Sequence, residues 1–212
     1  MSDPLVAILA LAAGAGSRLG GAKQLLPFKD KPLLAHSLLA VNKMIGVKIK
    51  ACVLGCEASA VQNALLKIPS LHSDWVFLDN KNWNKGQSTS LSMGLDWLLK
   101  HKEAERIDAV LVLLGDMPLV QPETIDNILN AYTKAWRNGH KMQAVIPMHK
   151  NKRGNPVLLA KSLFPELMNI SGDKGARKVL HSVHPKLFLP VNDQGVLRDI
   201  DTPEDYAGLC SE

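Results

Sequence analysis

A loop rich in glycine and carrying two cations follows the first apolar stretch of the chain: Gly14-Ala15-Gly16-Ser17-Arg18-Leu19-Gly20-Gly21-Ala22-Lys23. Glycines expose backbone N–H groups, Arg18 can fork across two phosphate oxygens, and Lys23 adds a mobile point charge, so the loop suits a polyphosphate. Glycines alone are equally compatible with a surface turn. The spacing of a P-loop, which ends in Lys-Ser/Thr, is absent. Gly14, Gly16 and Gly20 miss the dinucleotide fingerprint by one residue. About a dozen loop residues precede any helix, and only Glu57 stands where that site needs an acid. A dinucleotide-binding oxidoreductase therefore stays as the reading from another class.

Asp116 is the second candidate. It follows the apolar run Ala109–Leu114 in the segment Gly115-Asp116-Met117-Pro118, at the carboxyl edge of a buried strand, where open α/β sheets take their ligands. A carboxylate there suits magnesium, a hard cation that accepts a few acidic oxygens and shares its other positions with water and phosphate. The competing reading is a turn aspartate ahead of a proline. Cys52 and Cys56 are four apart, but no second Cys or His pair at ligand spacing completes a zinc site, and the three cysteines read as reduced thiols of a cytoplasmic protein. The seven histidines form no paired constellation on one predicted helix. Trp83 and Trp97 flank the stretch around Gly86 and could stack on a ligand, although tryptophan more often packs in a core.

The elements that must position these residues alternate. Leu5–Leu11 is continuously apolar and stops at the glycines, which predicts a strand buried on both faces. The pattern then predicts a helix opened by Pro32 and running to about Met44, a strand over Lys48–Leu54, a helix over Ser59–Lys67 and a short strand over Trp75–Leu78. A polar loop, Asp79–Gly86, leads to a helix over Ser88–Lys100 and the strand before Asp116. Next come a helix over Pro122–Trp136 and a strand over Gln143–Pro147. The remainder is mixed: a basic loop, a strand at Pro156–Leu159, helices from Leu163 and over Gly175–Ser182, a strand at Leu187–Val191, and a closing turn at Asp199–Tyr206. Strand–helix alternation implies parallel pairing through right-handed crossovers, with antiparallel pieces added in the second half.

With 212 residues the chain can bury a sizeable core, and it is expected to form one domain. An apolar fraction of 46% with 21% charged residues excludes wholesale disorder and a membrane architecture. Leu5–Ala13 mimics a secretory signal, but Asp3 stands where basic residues belong. The net charge of +5 is scattered and no nucleic-acid module can be read, so anionic small ligands and a solvated surface account for it without a nucleic-acid partner.

Six motifs carry a resemblance when taken together and in order. They are Leu11-Ala12-Ala13-Gly14 with Arg18 and Lys23-Gln24-Leu25-Leu26-Pro27; Gly86-Gln87-Ser88-Thr89-Ser90; Gly115-Asp116-Met117-Pro118; Arg153-Gly154-Asn155-Pro156; Gly172-Asp173-Lys174-Gly175; and Asp199-Ile200-Asp201-Thr202-Pro203. The set is similar to that of molybdenum cofactor nucleotidyltransferases and looks most like their cytidylyltransferase branch. The resemblance implies a three-layer α/β fold of the nucleotide-diphospho-sugar transferase kind, with a mostly parallel mixed sheet and helices on both faces, residues 1–120 as the nucleotide-binding half and 121–212 as the acceptor-binding half. It also implies transfer of CMP from CTP to molybdopterin or its molybdenum-loaded form, with Mg2+ as cofactor. The acceptor would be a small phosphorylated pterin, and a molybdoenzyme or its chaperone would make transient contact.

By the same resemblance Leu11, Ala12, Ala13 and Gly14 would line base and ribose, with Gly86, Gln87 and Ser88 closing the pocket opposite. Gly16, Ser17, Arg18 and Lys23 would meet the phosphates, and Asp116 and Asp201 would hold the metal. Arg153, Asn155 and Lys174, with the basic segment from Lys150 and Arg177, would face the acceptor. Guanylyl-transferring relatives read Leu-Ala-Gly-Gly where this chain has Leu11-Ala12-Ala13-Gly14, so the methyl of Ala13 favours cytosine; GTP and another phosphorylated acceptor remain alternatives.

Overall fold

The computed structural model describes residues 2–42, 44, 47–172 and 176–211. Strand β1 (Leu5–Ala12) lies in the interior of the main sheet. Successive side chains of a strand point to opposite faces, and here each face has a helical layer to meet. Val6, Ile8, Ala10 and Ala12 enter the core that Leu34, Val61 and Ile125 help to build, while Ala7, Leu9 and Leu11 enter the one that contains Leu91, Leu167 and Val179. That double burial is why the run is apolar without alternation.

A two-strand hairpin follows the glycine-rich loop, β2 (Pro27–Phe28) and β3 (Lys31–Pro32), and leads into helix α1 (Leu33–Leu39). Then come β4 (Lys50–Leu54), α2 (Ala58–Leu66), α3 (Pro69–His72), β5 (Val76–Asp79), α4 (Gln87–Lys100), β6 (Ile107–Leu114) and α5 (Pro122–Arg137). The second half adds β7 (Ala144–His149), β8 (Lys152–Arg153), β9 (Val157–Ala160), α6 (Phe164–Met168), α7 (Arg177–Ser182), β10 (Lys186–Pro190) and α8 (Pro203–Cys210). The sheet order is β10-β7-β9-β6-β1-β4-β5, with β8 paired to β7. The contacts β1–β4, β1–β6, β4–β5 and β7–β10 are parallel, whereas β9 runs antiparallel to both β6 and β7. This is the mostly parallel mixed sheet with helices on both faces that the motif order implies.

The chain leaves β1 towards β4 on one side, and β6 lies on the other. The carboxyl ends of β1 and β6 thus form the point where the winding reverses, and a crevice opens there. Three expectations change in detail. Helix α1 ends at Leu39, five residues before the expected Met44, where the chain tightens into turns: the N–H groups of Val41 and Asn42 donate to the carbonyls of Leu38 and Leu39, three residues back, while the Asn42 side chain accepts from the Trp75 indole at 2.9 Å and donates to the carbonyl of Ser70. The β2–β3 hairpin stands in the loop before Pro32, and Pro32 ends β3 and caps α1. Half of the expected closing turn, Pro203–Tyr206, instead begins a full helix, α8, with Thr202 and Asp205 forming a reciprocal capping box.

Candidate active site

The glycine-rich loop leaves β1 at Ala12 and is folded back by Gly16, whose φ of 61° is left-handed; a Cβ there would meet the carbonyl oxygen of Gly21 at 2.2 Å. Single helical turns at Ser17–Leu19 and Lys23–Leu25 carry Arg18 and Lys23 round the loop. Gln24, buried, secures the loop from inside: its Nε2 donates to the carbonyl oxygens of Ala12 at 2.7 Å and of Gly14 at 2.8 Å.

At the end of β6 the Gly115 N–H donates to the Leu11 carbonyl at 2.9 Å, and a Cβ on Gly115 would lie 2.7 Å from the Cβ of Ala12. Only glycine lets these two strand ends come so close, and the approach sets Asp116 beside the loop. Asp201 arrives from the far end of the chain. The Ile200 N–H donates to the Asp116 carbonyl at 2.9 Å, and the Asp205 carboxylate takes the N–H groups of Asp201 and Thr202 at 3.2 and 2.8 Å.

All three segments meet at one ammonium group. Lys23 Nζ donates to Asp116 Oδ2 at 2.6 Å and to Asp201 Oδ1 at 2.6 Å, and Arg18 donates to Asp201 Oδ2 at 3.1 Å. Burial pulls the Lys23 pKa down, but the two carboxylates outweigh it and hold it above the usual lysine value. Burial drives Asp116 above the ordinary carboxylate value; Lys23 opposes this, while Asp201 and Asp199 reinforce it. Asp116 Oδ1 is buried with no hydrogen-bond partner.

Two carboxylates aimed at one point, with an unpartnered oxygen beside them, fit a divalent cation of the magnesium type that takes its remaining positions from water and phosphate. No group of three or more His, Cys, Asp or Glu residues suited to a metal occurs among the described residues. Cys52 is buried and Cys56 half-buried, both as free thiols.

An open cleft of about 450 Å³ adjoins the ammonium. Leu11, Ala12, Ala13, Gly14 and Ser17 line one side, Trp83, Gly86, Gln87 and Ser90 the other, and Lys23 and Asp116 one end. Ser88 does not line it: its N–H donates to the Gly172 carbonyl at 3.2 Å, and Ser90, two residues on, lines the cleft instead. Gly16 shapes the loop without lining the cleft. Trp83 is at the cleft, whereas Trp97 packs on the core beside the His101 ring.

Arg153 and Asn155 also lie outside the cleft. Arg153 is exposed on β8, 4.9 Å from the centre of the Phe188 ring, at the same carboxyl edge of the sheet; the Asn155 N–H donates to the Val196 carbonyl at 2.9 Å. Lys150 and Asn151, both at positive φ, make the tight turn of the β7–β8 hairpin, and the basic residues of the loop stand on it. Lys174 lies outside the described residues.

Two residues to which neither spacing nor resemblance assigns a role complete the site. Gln24 is one. The other is Asn80, buried, which donates to the hydroxyls of Thr89 at 2.9 Å and Ser90 at 3.0 Å and accepts from the Asn82 N–H at 2.9 Å, ordering the wall that carries Trp83 and Gly86. A polar loop before a helix was the only sign of it in the sequence.

The chain is 26% identical to the purine catabolism protein PucB of Bacillus subtilis, with 97% of this chain and 96% of that protein aligned. It is 29% identical to nicotine blue oxidoreductase of Paenarthrobacter nicotinovorans, with 97% of each covered. Similarity to the molybdenum cofactor cytidylyltransferase of Escherichia coli is more distant, at 24% over 92% of this chain and 90% of that one. Among solved structures, the manganese complex of Rv0371C from Mycobacterium tuberculosis superposes with a TM-score of 0.74 at 28% identity, over 98% of this chain and 99% of that chain. The fold is shared with CMP:2-keto-3-deoxy-manno-octonic acid synthetase, at a TM-score of 0.70 and 13% identity over 99% of this chain and 98% of that chain. Residues 8–189 match the model of the MobA-like NTP transferase domain, and the chain belongs to that family.

Proposed function

We propose that the protein transfers CMP from CTP to a phosphorylated acceptor of the molybdopterin kind, releasing pyrophosphate. The observation that carries this reading is the convergence of Asp116 and Asp201 on Lys23, at the end of a cleft walled by the glycine-rich loop. Magnesium, when bound, would stabilise negative charge gathering on the α-phosphate and the departing pyrophosphate. Asp116 and Asp201 would hold it. Arg18 and Lys23 bind and orient the triphosphate, and the Ala12–Gly14 backbone, kept in place by Gln24, supports base and ribose. Transfer of this type needs positioning and charge stabilisation rather than a protein nucleophile, and the cleft lining has no cysteine to act as one.

Ala13 lines the cleft, and its methyl narrows the space for a purine. Incubation with CTP, magnesium and the pterin acceptor is expected to release pyrophosphate; turnover with GTP alone would overturn the base assignment. Ala13→Gly should move the kcat/KM ratio towards GTP by about tenfold or more, the scale of one methyl-sized contact. Asp116→Ala should cut turnover at least about 100-fold with an unchanged circular dichroism spectrum, and full activity in that variant would remove Asp116 from the site. PucB and nicotine blue oxidoreductase bear names from other chemistries, so an acceptor screen at fixed CTP is the companion experiment.

The second of those names favours one further reading, a redox role on this fold. Quenching or enhancement of NADH or NADPH fluorescence on mixing, with no response to CTP, would support it over nucleotidyl transfer.

A further inference from the structure

Asp116 and Asp201 stand 85 residues apart in the chain, yet each places an oxygen 2.6 Å from the same nitrogen, Lys23 Nζ. The lysine side chain is only 11% exposed, and Arg18 takes the second oxygen of Asp201. The ammonium thus sits where one cation reaches both carboxylates. Of the four carboxylate oxygens only Asp116 Oδ1 lacks a partner, so a divalent ion held by both residues would have to take an oxygen that Lys23 or Arg18 now holds, and beside the ammonium the repulsion of two cations adds to steric overlap. Lys23, once displaced, needs another anion, because a buried unpaired charge is costly. Along the cleft that Lys23 lines, polyphosphate would be that anion.

We propose that Lys23 is a resident counterion that a divalent cation must displace, so that metal enters with the nucleoside triphosphate and the ammonium passes from the carboxylates to the phosphates. The inference rests on the reading of Asp116 and Asp201 as metal ligands and adds what that reading lacks, an order of events. Without nucleotide, the free protein binds metal weakly because Lys23 competes. With nucleotide, both bind better because the displaced ammonium has a partner, which is positive coupling between two ligands.

Titration with Mn2+, read by the electron paramagnetic resonance signal of the free ion, tests this without turnover. In the absence of nucleotide, Lys23→Met should bind Mn2+ at least tenfold more tightly than the unaltered protein, and Asp116→Asn added to Lys23→Met should abolish the gain. In the unaltered protein, α,β-methylene-CTP should tighten Mn2+ binding by a similar factor. Should Lys23→Met bind Mn2+ no more tightly while Asp116→Asn weakens binding in the presence of the analogue, Lys23 is no competitor and the metal-ligand reading stands alone. Should Asp116→Asn and Asp201→Asn leave that binding unchanged, the metal-ligand reading falls and the displacement with it. A measurement on the unaltered chain guards against misfolding of the variants: the side-chain ammonium resonance of Lys23, followed by 15N NMR, should shift when Mg2+ and the analogue are added together. A resonance that stays in place while Mg2+ binds overturns the exchange.

Discussion

Gln24 shows what a single residue contributes beyond its type. Its amide is anchored by two carbonyl oxygens on either side of Ala13, so the loop that walls the cleft keeps its shape only while that side chain is in place. Arg18, Lys23 and Asp116 stood out in the sequence because glycines and strand ends surround them. Gln24 did not, because its role depends on the path of the loop and not on its neighbours in the chain. The cysteines make the complementary point. Cys52 lies in the core, and burial pushes its thiol well above the usual value, whereas Cys56 is half-buried and Cys210 exposed. Iodoacetamide reacts with thiolates, so two of the three cysteines should be alkylated in the folded protein, and the third only in denaturant, as counted by mass spectrometry. Alkylation of all three at the same rate would contradict the placement of Cys52.

At the scale of elements, helix α8 illustrates how a cap serves a site. The Asp205 carboxylate takes the hydroxyl and N–H of Thr202 at 2.9 and 2.8 Å and the N–H of Asp201, which fixes the backbone on which Asp201 stands. Those hydrogen bonds hold Asp205 below its ordinary value of 3.8. A carboxylate with a depressed folded value contributes stability that is present above its unfolded value and is lost as pH falls through the folded one. Acid unfolding below pH 3.8 is therefore expected to be shallower in Asp205→Asn than in the parent. Thr202→Ala, which removes the cap, should cost about 1 kcal/mol in urea denaturation at neutral pH. The pattern over Asp199–Tyr206 reads as a turn because Pro203 and the acids suit one; that Pro203 instead starts a helix was not legible, since the burial of α8 is slight, with Leu209 its main anchor. Beyond the early end of α1, the Asn42 side chain bonds to Trp75 and Ser70, residues that no local pattern connects to it.

Across the whole molecule, the second half of the chain completes the site of the first. Asp193, buried, accepts at one oxygen from the Gln121 N–H at 2.9 Å and the Thr124 hydroxyl at 2.7 Å, and at the other from the Gly195 N–H at 2.8 Å. It ties the segment that leads to Asp201 onto the start of α5, just beyond Asp116. Asp193→Asn cannot satisfy all three donors, because its NH2 group would face one of them. Destabilisation of about 1 to 3 kcal/mol is expected in urea denaturation, together with weaker Mn2+ binding in the presence of the nucleotide analogue; binding at parental strength would show that Asp201 needs no such tether.

The sequence by itself determined the layered α/β fold, the strand buried on both faces, the phosphate-suited loop and the carboxylate at the end of β6. Each follows from short-range pattern: unbroken apolar runs, glycines at their ends, and an acid at an edge. Only the tertiary structure decided that Asp201 and Lys23 share one point with Asp116, that Ser90 and not Ser88 faces the cleft, and that Gln24 and Asn80 hold its walls. Those facts depend on register between strands and on hydrogen bonds between segments far apart in the chain, and no local spacing encodes either.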